Sequence, residues 1–541
     1  MNFPVYRLRV LILFVLSGMC CDTALAAHLF IPMDASMQAD HLRAYGVVYA
    51  ALQRDADVRW LLNYRGGSFV IDDDGTAAQM CKERGVSCSD MDKAEYKAIE
   101  KEMERGGNTF NIVKLEKAPK IAVYTPTNKK PWDDAVTMAL TYAQIPFDKV
   151  YADDVLDGAL DKYNWLHLHH EDFTGQLGKY WGQFHGVDWY VQEQNTQQAI
   201  AARHGFDKIS KMQLAVVQKI RDFVGAGGNL FAMCSATETF DIALAAQNTD
   251  ICEDVFDGDP LDPDYQEKLD YTQCFAFTGF RVYPNPVLYL HSDIDDFGAH
   301  IGQEAFDAFS LNVFPARPDP IPAMLTQDHT ATIKGFMGQT TVFRTEKLKP
   351  GVLSLAGYPA PGSKSFYEAR YIHGDYEKGT WTFYSGHDPE DFQHLVGDPP
   401  TDLSQHPNSP GYRLILNNVL LPAVKRVLVP KIACCDVQVA PVPETKLETV
   451  PQKVLPADIS APDTYNIYPA GDQLTLSINH NSTAAKNINN IERVVITNAE
   501  GKEFISQPVN AATASIDIRN LPPGMYMIKI NGDYAGKLMK E

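Results

Sequence analysis

Residues 227–237, GGNLFAMCSAT, decide the fold class of this chain. A glycine pair leads into a short apolar run, and the run ends at Cys234, which is followed by small residues. This order predicts a buried strand, a tight turn that carries a thiol, and then a helix. Because α/β enzymes present a nucleophile above the edge of their sheet in this way, Cys234 is a candidate nucleophile. An inert thiol is the alternative, since free cysteine is among the most often buried residue types.

Predicted strands and helices alternate on both sides of this stretch. The strands are at 120–124, 165–169, 230–233 and 381–384, and the helices are at 135–143, 208–224 and 411–427. The alternation predicts an α/β fold with a doubly wound, mostly parallel sheet. A strand–helix–strand unit, at 28–33, 40–52 and 58–63, is predicted to precede these elements.

The two ends of the chain differ from its middle. Arg7 and Arg9, a short apolar run and the small residues at 23–27 are typical of a secretory signal peptide at 1–26. The apolar run is too short to span a bilayer, and no later segment is apolar enough, so no transmembrane segment is expected. Three further regions are predicted: an α/β domain at 27–430, a Pro-rich linker at 431–463 and a small all-β sandwich at 464–541.

Charge and cysteine usage limit the classes of partner. The chain has 68 acidic and 48 basic side chains, and its formal net charge is -20. Nucleic acid is therefore not expected as a partner, because phosphate binding needs a basic face. Of nine cysteines, two lie in the signal peptide, and the odd number that remains leaves at least one free thiol, for which Cys234 is the candidate. Cys81 with Cys88, and Cys252 with Cys274, are the pairs close in sequence, but spacing does not decide the connectivity.

The C-terminal segment contains a series of short motifs in a fixed order. They are IYP at 467–469, VITNAEG at 495–501, IDI at 516–518, LPPGMYMIKI at 521–530 and the basic close at 537–540. In this order they resemble the type A sorting domain of the type IX secretion system of Bacteroidetes. The resemblance implies export through the periplasm to the outer-membrane surface or the medium, with the type IX secretion machinery as partner.

The larger part of the chain has a second resemblance, carried by HLRAYG at 41–46, WLLNYRGGSF at 60–69, and the stretches 165–175 and 386–418. These residues are similar to a Bacteroidetes group often labelled asparagine synthetase B. The synthetase activity itself is not expected, because the chain has no SGGxDS loop for ATP pyrophosphate. The residues better resemble the class I glutamine amidotransferase-like fold, including its trehalose-utilisation-like relatives. That fold implies a cysteine after a central strand and a late His-Pro-Glu that supplies a base and an orienting carboxylate.

The late element in this chain is YSGHDPE at 384–390, which has one residue more than the family pattern. The resemblance implies that His387 is the base for Cys234, and the extra residue leaves Glu390 and Asp388 as alternative orienting carboxylates. A nearby imidazole lowers the pKa of a thiol, and a carboxylate fixes the tautomer of the imidazole. Backbone N–H groups after the cysteine would stabilise an oxyanion.

A cluster of histidines ends the predicted strand at 165–169. His167 and His169 alternate on one face of the strand, and His170 and Glu171 follow at its carboxyl end, where open α/β sheets bind ligands. These four residues are candidate binding residues. A polar pocket wall with hydrogen-bonded histidines is the favoured interpretation, and a divalent metal is the alternative.

Two further acidic groups are predicted to be solvated loops. One is HSDIDD at 291–296, expected after a strand at 287–290, and the other comprises Asp257, Asp259, Asp262 and Asp264. Calcium is the alternative for both, although the second group lacks the EF-hand spacing. No cofactor is otherwise expected.

Two functions are consistent with these patterns. The first is a thiol-dependent amidohydrolase or acyl transferase, with Cys234, His387 and Glu390 or Asp388. The second is a non-catalytic surface protein that binds a small molecule or a carbohydrate on the same scaffold. Aromatic residues at 181–190 would stack on a sugar, cover the site as a lid or form a satellite core.

Overall fold

A computed structural model describes residues 28–72, 75–126, 133–296, 308–359, 366–393, 398–424, 465–470, 473–478, 490–498, 502–522, 524–531 and 533–540. The predicted signal peptide and linker, Cys434 and Cys435 lie outside the described residues.

The N-terminal region is an antiparallel sheet with three helices. Its elements are β1 (His28–Ile31), α1 (His41–Gln53), β2 (Val58–Leu62), β3 (Ser68–Ile71), α2 (Thr76–Arg84), β4 (Ser89–Met91), α3 (Lys93–Arg105) and β5 (Asn111–Leu115). The strand order is β4-β1-β3-β2-β5. The first strand, helix and strand were predicted, but β3 separates β1 from β2 and is antiparallel to both. Gly66 and Gly67 make this return possible, because both have positive φ, at 73° and 83°.

The second region contains the elements of the central sheet. They are β6 (Ile121–Tyr124), α4 (Ala135–Ala143), β7 (Asp148–Val150), α5 (Ala152–Leu156), β8 (Trp165–Leu168), α6 (Trp181–Phe184), α7 (Asp188–Arg203), α8 (Ile209–Gly225), β9 (Asn229–Met233), α9 (Ala236–Ala245), α10 (Asp254–Asp257), β10 (Ala308–Leu311), α11 (Ile321–Leu325), β11 (Thr332–Lys334), β12 (Phe343–Arg344), β13 (Leu353–Pro359), β14 (Phe366–Tyr376), β15 (Gly379–Tyr384) and α12 (Pro410–Leu420).

Ten described strands form the central sheet, in the order β11-β10-β13-β14-β15-β9-β8-β6-β7, with β12 paired to β14. The run from β15 to β7 is parallel. The strands on the other side of β15 pair antiparallel. The sheet is therefore mixed, and the doubly wound, amidotransferase-like classification stays a prediction.

Side chains of the parallel strands alternate between two apolar cores. In β9, Phe231 and Met233 join the core that contains α1, α4 and α12, whereas Leu230 and Ala232 join the core that contains α5, α8 and α9. Because both faces of these strands are buried, their sequences are continuously apolar rather than alternating.

Two predicted elements differ from the structure. Residues 287–290 form no strand, because Pro284 and Pro286 precede them and proline lacks the N–H that a β-ladder needs. The late helix, predicted to reach Val427, ends at Leu420, since Pro422 follows and cannot continue an α-helix.

The C-terminal region consists of two antiparallel sheets. Its strands are β16 (Tyr465–Ala470), β17 (Gln473–Ile478), β18 (Ile491–Asn498), β19 (Glu503–Ala511), β20 (Thr513–Asp517), β21 (Gly524–Ile530) and β22 (Asp533–Lys540). The orders are β16-β17-β20 and β19-β18-β21-β22. Leu474 and Leu476 of one sheet share an apolar core with Val494 and Ile496 of the other.

Candidate functional site

Four parallel strands bring the predicted site residues to one edge of the central sheet. Strands β6, β8, β9 and β15 are neighbours, so their carboxyl ends lie together. His169 follows β8, Cys234 follows β9 and His387 lies shortly after β15. This edge is where open α/β sheets bind ligands.

The backbone at Cys234 makes the predicted tight turn. Its φ is 50°, a left-handed conformation that is uncommon for a residue with a side chain. The Cys234 N–H donates to the Gly386 carbonyl at 3.2 Å, and the Cys234 carbonyl accepts from the N–H and hydroxyl of Thr237. Helix α9 begins two residues after the cysteine. The turn therefore holds the thiol between the end of β9 and the loop that carries His387.

The Cys234 thiol is buried and faces backbone N–H groups. The residue is 3% exposed, and Sγ accepts a hydrogen bond from the Gln339 N–H at 3.3 Å. Burial raises the pKa of Cys234 to about 11, although hydrogen bonds from the backbone of Gln339, Ser235 and Thr340 act in the opposite direction. At neutral pH the buried side chain is therefore a thiol and not a thiolate.

The two histidines on either side of Cys234 contact each other. His169 Nε2 lies 3.0 Å from His387 Nδ1, and the two rings are almost perpendicular, at 81°. Both side chains are buried, at 0% and 4% exposure. One shared proton or one bound cation would satisfy both nitrogens.

Asp134 lies on the opposite side of His169. Its carboxylate is 3.7 Å from His169 Nδ1 and 3.4 Å from His167 Nε2. Burial alone would raise the pKa of Asp134, but the adjacent His167 and His169 lower it below its ordinary value. Asp134 also caps helix α4 by accepting from the Thr137 N–H at 2.9 Å. The helix start therefore fixes a carboxylate against the histidine cluster.

His170 and Glu171 continue the cluster beyond the end of β8, with His170 half-buried and Glu171 buried. One ring nitrogen from each of His169, His170 and His387 lies within 4.8 Å of the other two, and Asp134, His167 and His169 form a second group of the same kind. Glu171 accepts from the His169 N–H at 2.7 Å. Burial raises the pKa of Glu171 to about 8.

Two cavities meet at His170. The larger one, of about 400 Å³, is lined by Asp134, His170, residues of α4 and the loop at 400–403. The narrower one, of about 60 Å³, is lined by His170, Glu171 and the aromatic side chains of Tyr180, Trp189 and Tyr190, among others. The larger volume falls within the roughly 300–1,000 Å³ that is typical of ligand pockets.

The two alternative orienting carboxylates have other partners. Asp388 Oδ1 accepts from the Glu390 N–H at 2.9 Å, and the nearby Asp388 carboxylate adds to the burial that raises the pKa of Tyr412. Glu390 lies 3.2 Å from His406 Nδ1. The role of either carboxylate in orienting His387 stays a prediction.

The two acidic groups predicted as solvated loops differ in exposure: the first is largely buried, whereas the side chains of Asp259 and Asp264 in the second are 55% and 60% exposed. His291, Ser292 and Asp295 are buried. The second group is paired with lysines: Lys208 Nζ lies 3.1 Å from Asp257 and 2.5 Å from Asp259, and Lys268 contacts Asp262 and Asp264.

Cys252 and Cys274, which are close in sequence, are not joined to each other. Cys252 Sγ donates to the Thr174 carbonyl and Cys274 Sγ to the Asp241 carbonyl, both at 3.3 Å. Both are free cysteines.

Sequence reasoning missed two site residues. Asp134 is the N-cap of α4, and an aspartate just before a helix that follows a parallel strand is the signal that indicates it. Gln339 reaches Cys234 from a loop 105 residues away, and no local pattern indicates that contact.

Comparison with known proteins identifies the C-terminal region. Residues 466–541 match the family described as secretion system C-terminal sorting domain. The chain therefore ends in a sorting domain of type IX secretion, which directs the protein to the cell surface or the medium. A search of curated proteins found no match to the chain. No helix among the described residues combines the length and apolar character needed to cross a membrane.

Similarity to solved structures is weak. A cytoplasmic protein of Salmonella typhimurium is 8% identical, with 56% of this chain and 97% of that chain covered and a TM-score of 0.28. A second cytoplasmic protein, of Salmonella typhimurium LT2, is 14% identical, with 57% and 100% covered and a TM-score of 0.30. A β-galactosidase of Bacillus circulans sp. alkalophilus is 12% identical, with 76% and 41% covered and a TM-score of 0.22. These scores carry no argument about fold or function.

Proposed function

We propose that the α/β domain of this exported protein is an amidotransferase-like scaffold that binds a small polar molecule or a glycan unit, without a cysteine nucleophile. The observation that carries this function is the 400 Å³ cavity at the carboxyl edge of the sheet. Its lining combines carboxylate, imidazole, hydroxyl and ammonium groups, from Asp134, His170, Tyr142 and Lys149, with apolar side chains. A few polar groups on an apolar wall are typical of small-molecule sites.

The state of Cys234 favours binding over thiol catalysis. Its side chain is buried, its pKa is raised to about 11 by that burial, and its sulfur already accepts a backbone hydrogen bond. A cysteine nucleophile reacts as a thiolate, which an electropositive and partly exposed environment stabilises. Cys234 is instead buried, and its burial outweighs the backbone N–H groups that favour a thiolate.

Ligand binding is tested by filling the cavity. The purified full chain is screened against monosaccharides, short glycans and small polar metabolites by thermal shift, and each hit is titrated calorimetrically. Thr141 is exposed, belongs to α4 and lines the cavity, so Thr141→Trp is expected to abolish binding of a hit. Lys219→Trp, at an exposed position of α8, is the matched control and is expected to bind like wild type. Equal affinity of a hit for both variants would place its site elsewhere.

A thiol-dependent amidohydrolase or acyl transferase is the second candidate, and the strained φ of Cys234 favours it. In that reaction Cys234 Sγ attacks an amide carbonyl while His387 takes the thiol proton. The C–N bond then breaks, the amine leaves with a proton, and water or another amine cleaves the thioester. Glu390 or Asp388 would orient the imidazole.

Intact-mass measurement separates the two candidates. The full chain is incubated at neutral pH with a panel of activated esters and amides. An acyl adduct on Cys234 that is absent from Cys234→Ala would establish the second candidate. The binding function predicts no such adduct in the folded protein.

A further inference from the structure

We propose that His169, His170 and His387 form a zinc site, with Asp134 as the residue that positions His169. The three ligating nitrogens lie within 4.8 Å of one another, and two of them are already 3.0 Å apart. The site brings together the ends of two strands separated by β9, so no local spacing in the sequence defines it.

The distance between His169 and His387 is close to that of two imidazoles on one cation. Two nitrogens on one tetrahedral Zn²⁺, with Zn–N of about 2.0–2.1 Å, stand roughly 3.3 Å apart. The His169–His387 pair therefore needs to open by only about 0.3 Å to accept the ion. Three protein ligands leave a fourth position that water or a ligand would fill.

A carboxylate lies near the ring nitrogen of His169 that does not face His387. When Nε2 of His169 binds the cation, Nδ1 keeps the proton and faces the Asp134 carboxylate, 3.7 Å away. Asp134 is fixed by its cap on α4, because it accepts from the Thr137 N–H. The contact is longer than a hydrogen bond, and the charge of the carboxylate favours the tautomer of His169 that leaves Nε2 available as a ligand.

A route from solvent reaches the cluster. His170 is half-buried and lines both cavities, whereas His169 and His387 are buried behind it. The donor set selects among cations by its chemistry: imidazole nitrogens suit zinc, whereas Mg²⁺ and Ca²⁺ prefer oxygen ligands. Binding requires neutral imidazoles, so acidification is expected to weaken it.

The test is titration of the metal-free full chain with Zn²⁺ alone, followed by calorimetry and by metal analysis after dialysis. Wild type is expected to bind one Zn²⁺ and to ignore Mg²⁺. His170→Ala and His387→Ala are each expected to lose this binding, with circular dichroism confirming that they fold. His204→Ala is the matched control, because His204 pairs with Asp153 and belongs to neither histidine group. Stoichiometric zinc that persists in both variants, or no zinc in wild type, would overturn the proposal.

The positioning role of Asp134 has its own readout. Asp134→Asn keeps an acceptor for the helix cap but loses the charge, and it is expected to weaken Zn²⁺ binding about 10- to 100-fold. The visible spectrum of the Co²⁺-loaded variant should match that of wild type, because the three ligands are unchanged. An altered Co²⁺ spectrum, or unchanged affinity, would contradict the positioning role. Thr141→Trp leaves the imidazoles in place, so zinc binding should persist there even when ligand binding is lost.

Discussion

Raising the pH distinguishes a buried thiol from a nucleophile at Cys234. Burial raises its pKa to about 11, from an ordinary value of 9.0. Each unit of pKa changes the thiolate population about tenfold. At pH 7.5 an ordinary cysteine is therefore about 3% thiolate, whereas Cys234 is about 0.03% thiolate. Alkylation of Cys234 at pH 7.5 is therefore expected to be at least 100-fold slower than that of an exposed cysteine, and burial slows it further.

The assay is iodoacetamide labelling of the folded chain, with each cysteine followed by peptide mass spectrometry between pH 6 and 10. Lys219→Cys supplies an exposed reference thiol in the same protein, on helix α8. The Cys234 rate should rise throughout the range without a plateau, because its pKa lies above it. Labelling at pH 7.5 as fast as that of the reference thiol would refute the reasoning and favour the thiol-dependent enzyme.

Three further predictions address the fold, the site and export. Burial raises the pKa of Glu171 from 4.5 to about 8, so the stability that its neutral form provides is complete below pH 4.5 and is lost as the pH rises through 8. Between pH 5 and 8, the free energy of unfolding measured in urea should therefore fall less for Glu171→Gln than for wild type. An equal fall in both proteins would contradict this. Gly46→Ala places a Cβ 1.7 Å from the Ala143 carbonyl oxygen, between α1 and α4, and should cost about 1–3 kcal/mol in urea unfolding. Gly186→Ala meets no atom within 4 Å and should cost much less; equal losses would contradict the packing argument. Deletion of residues 466–541 should leave the chain in the periplasm on cell fractionation, and surface display without them would contradict their sorting role.

Local sequence patterns predicted the elements whose signals are short-range. The strand, turn and helix around Cys234 follow from an apolar run, a small-residue turn and the helix that starts at Ala236. The histidines at the end of β8 follow from alternation and from where parallel strands end. These features depend on residues that are close together in the chain, so a single sequence is enough to predict them.

The antiparallel half of the central sheet was not predicted. Strands β10 to β14 lie in a region rich in aspartate, proline and aromatic residues, where alternation is weak. Their order, with β14 beside β15, depends on contacts between distant segments. Sequence periodicity gives the type of an element but not its partner in a sheet.

At the candidate site, too, the sequence did not predict contacts between residues that are distant in the chain. The sequence proposed His387 as the partner of Cys234, with Glu390 or Asp388 behind it. The described hydrogen bond of the His387 ring instead reaches His169, a contact across 218 residues. The carboxylate that faces His169 is Asp134, which local patterns assign only to a helix cap. The chemistry of this site therefore depends on polar side chains that are distant in sequence and close in the fold.

The most direct measurement of the central claim is Zn²⁺ calorimetry on three forms of the full chain: wild type, Cys234→Ser and His387→Ala. A site built on the histidines predicts that Cys234→Ser binds zinc like wild type and that His387→Ala does not. Loss of binding in Cys234→Ser with retention in His387→Ala would contradict it, and would place the centre of the site at the thiol.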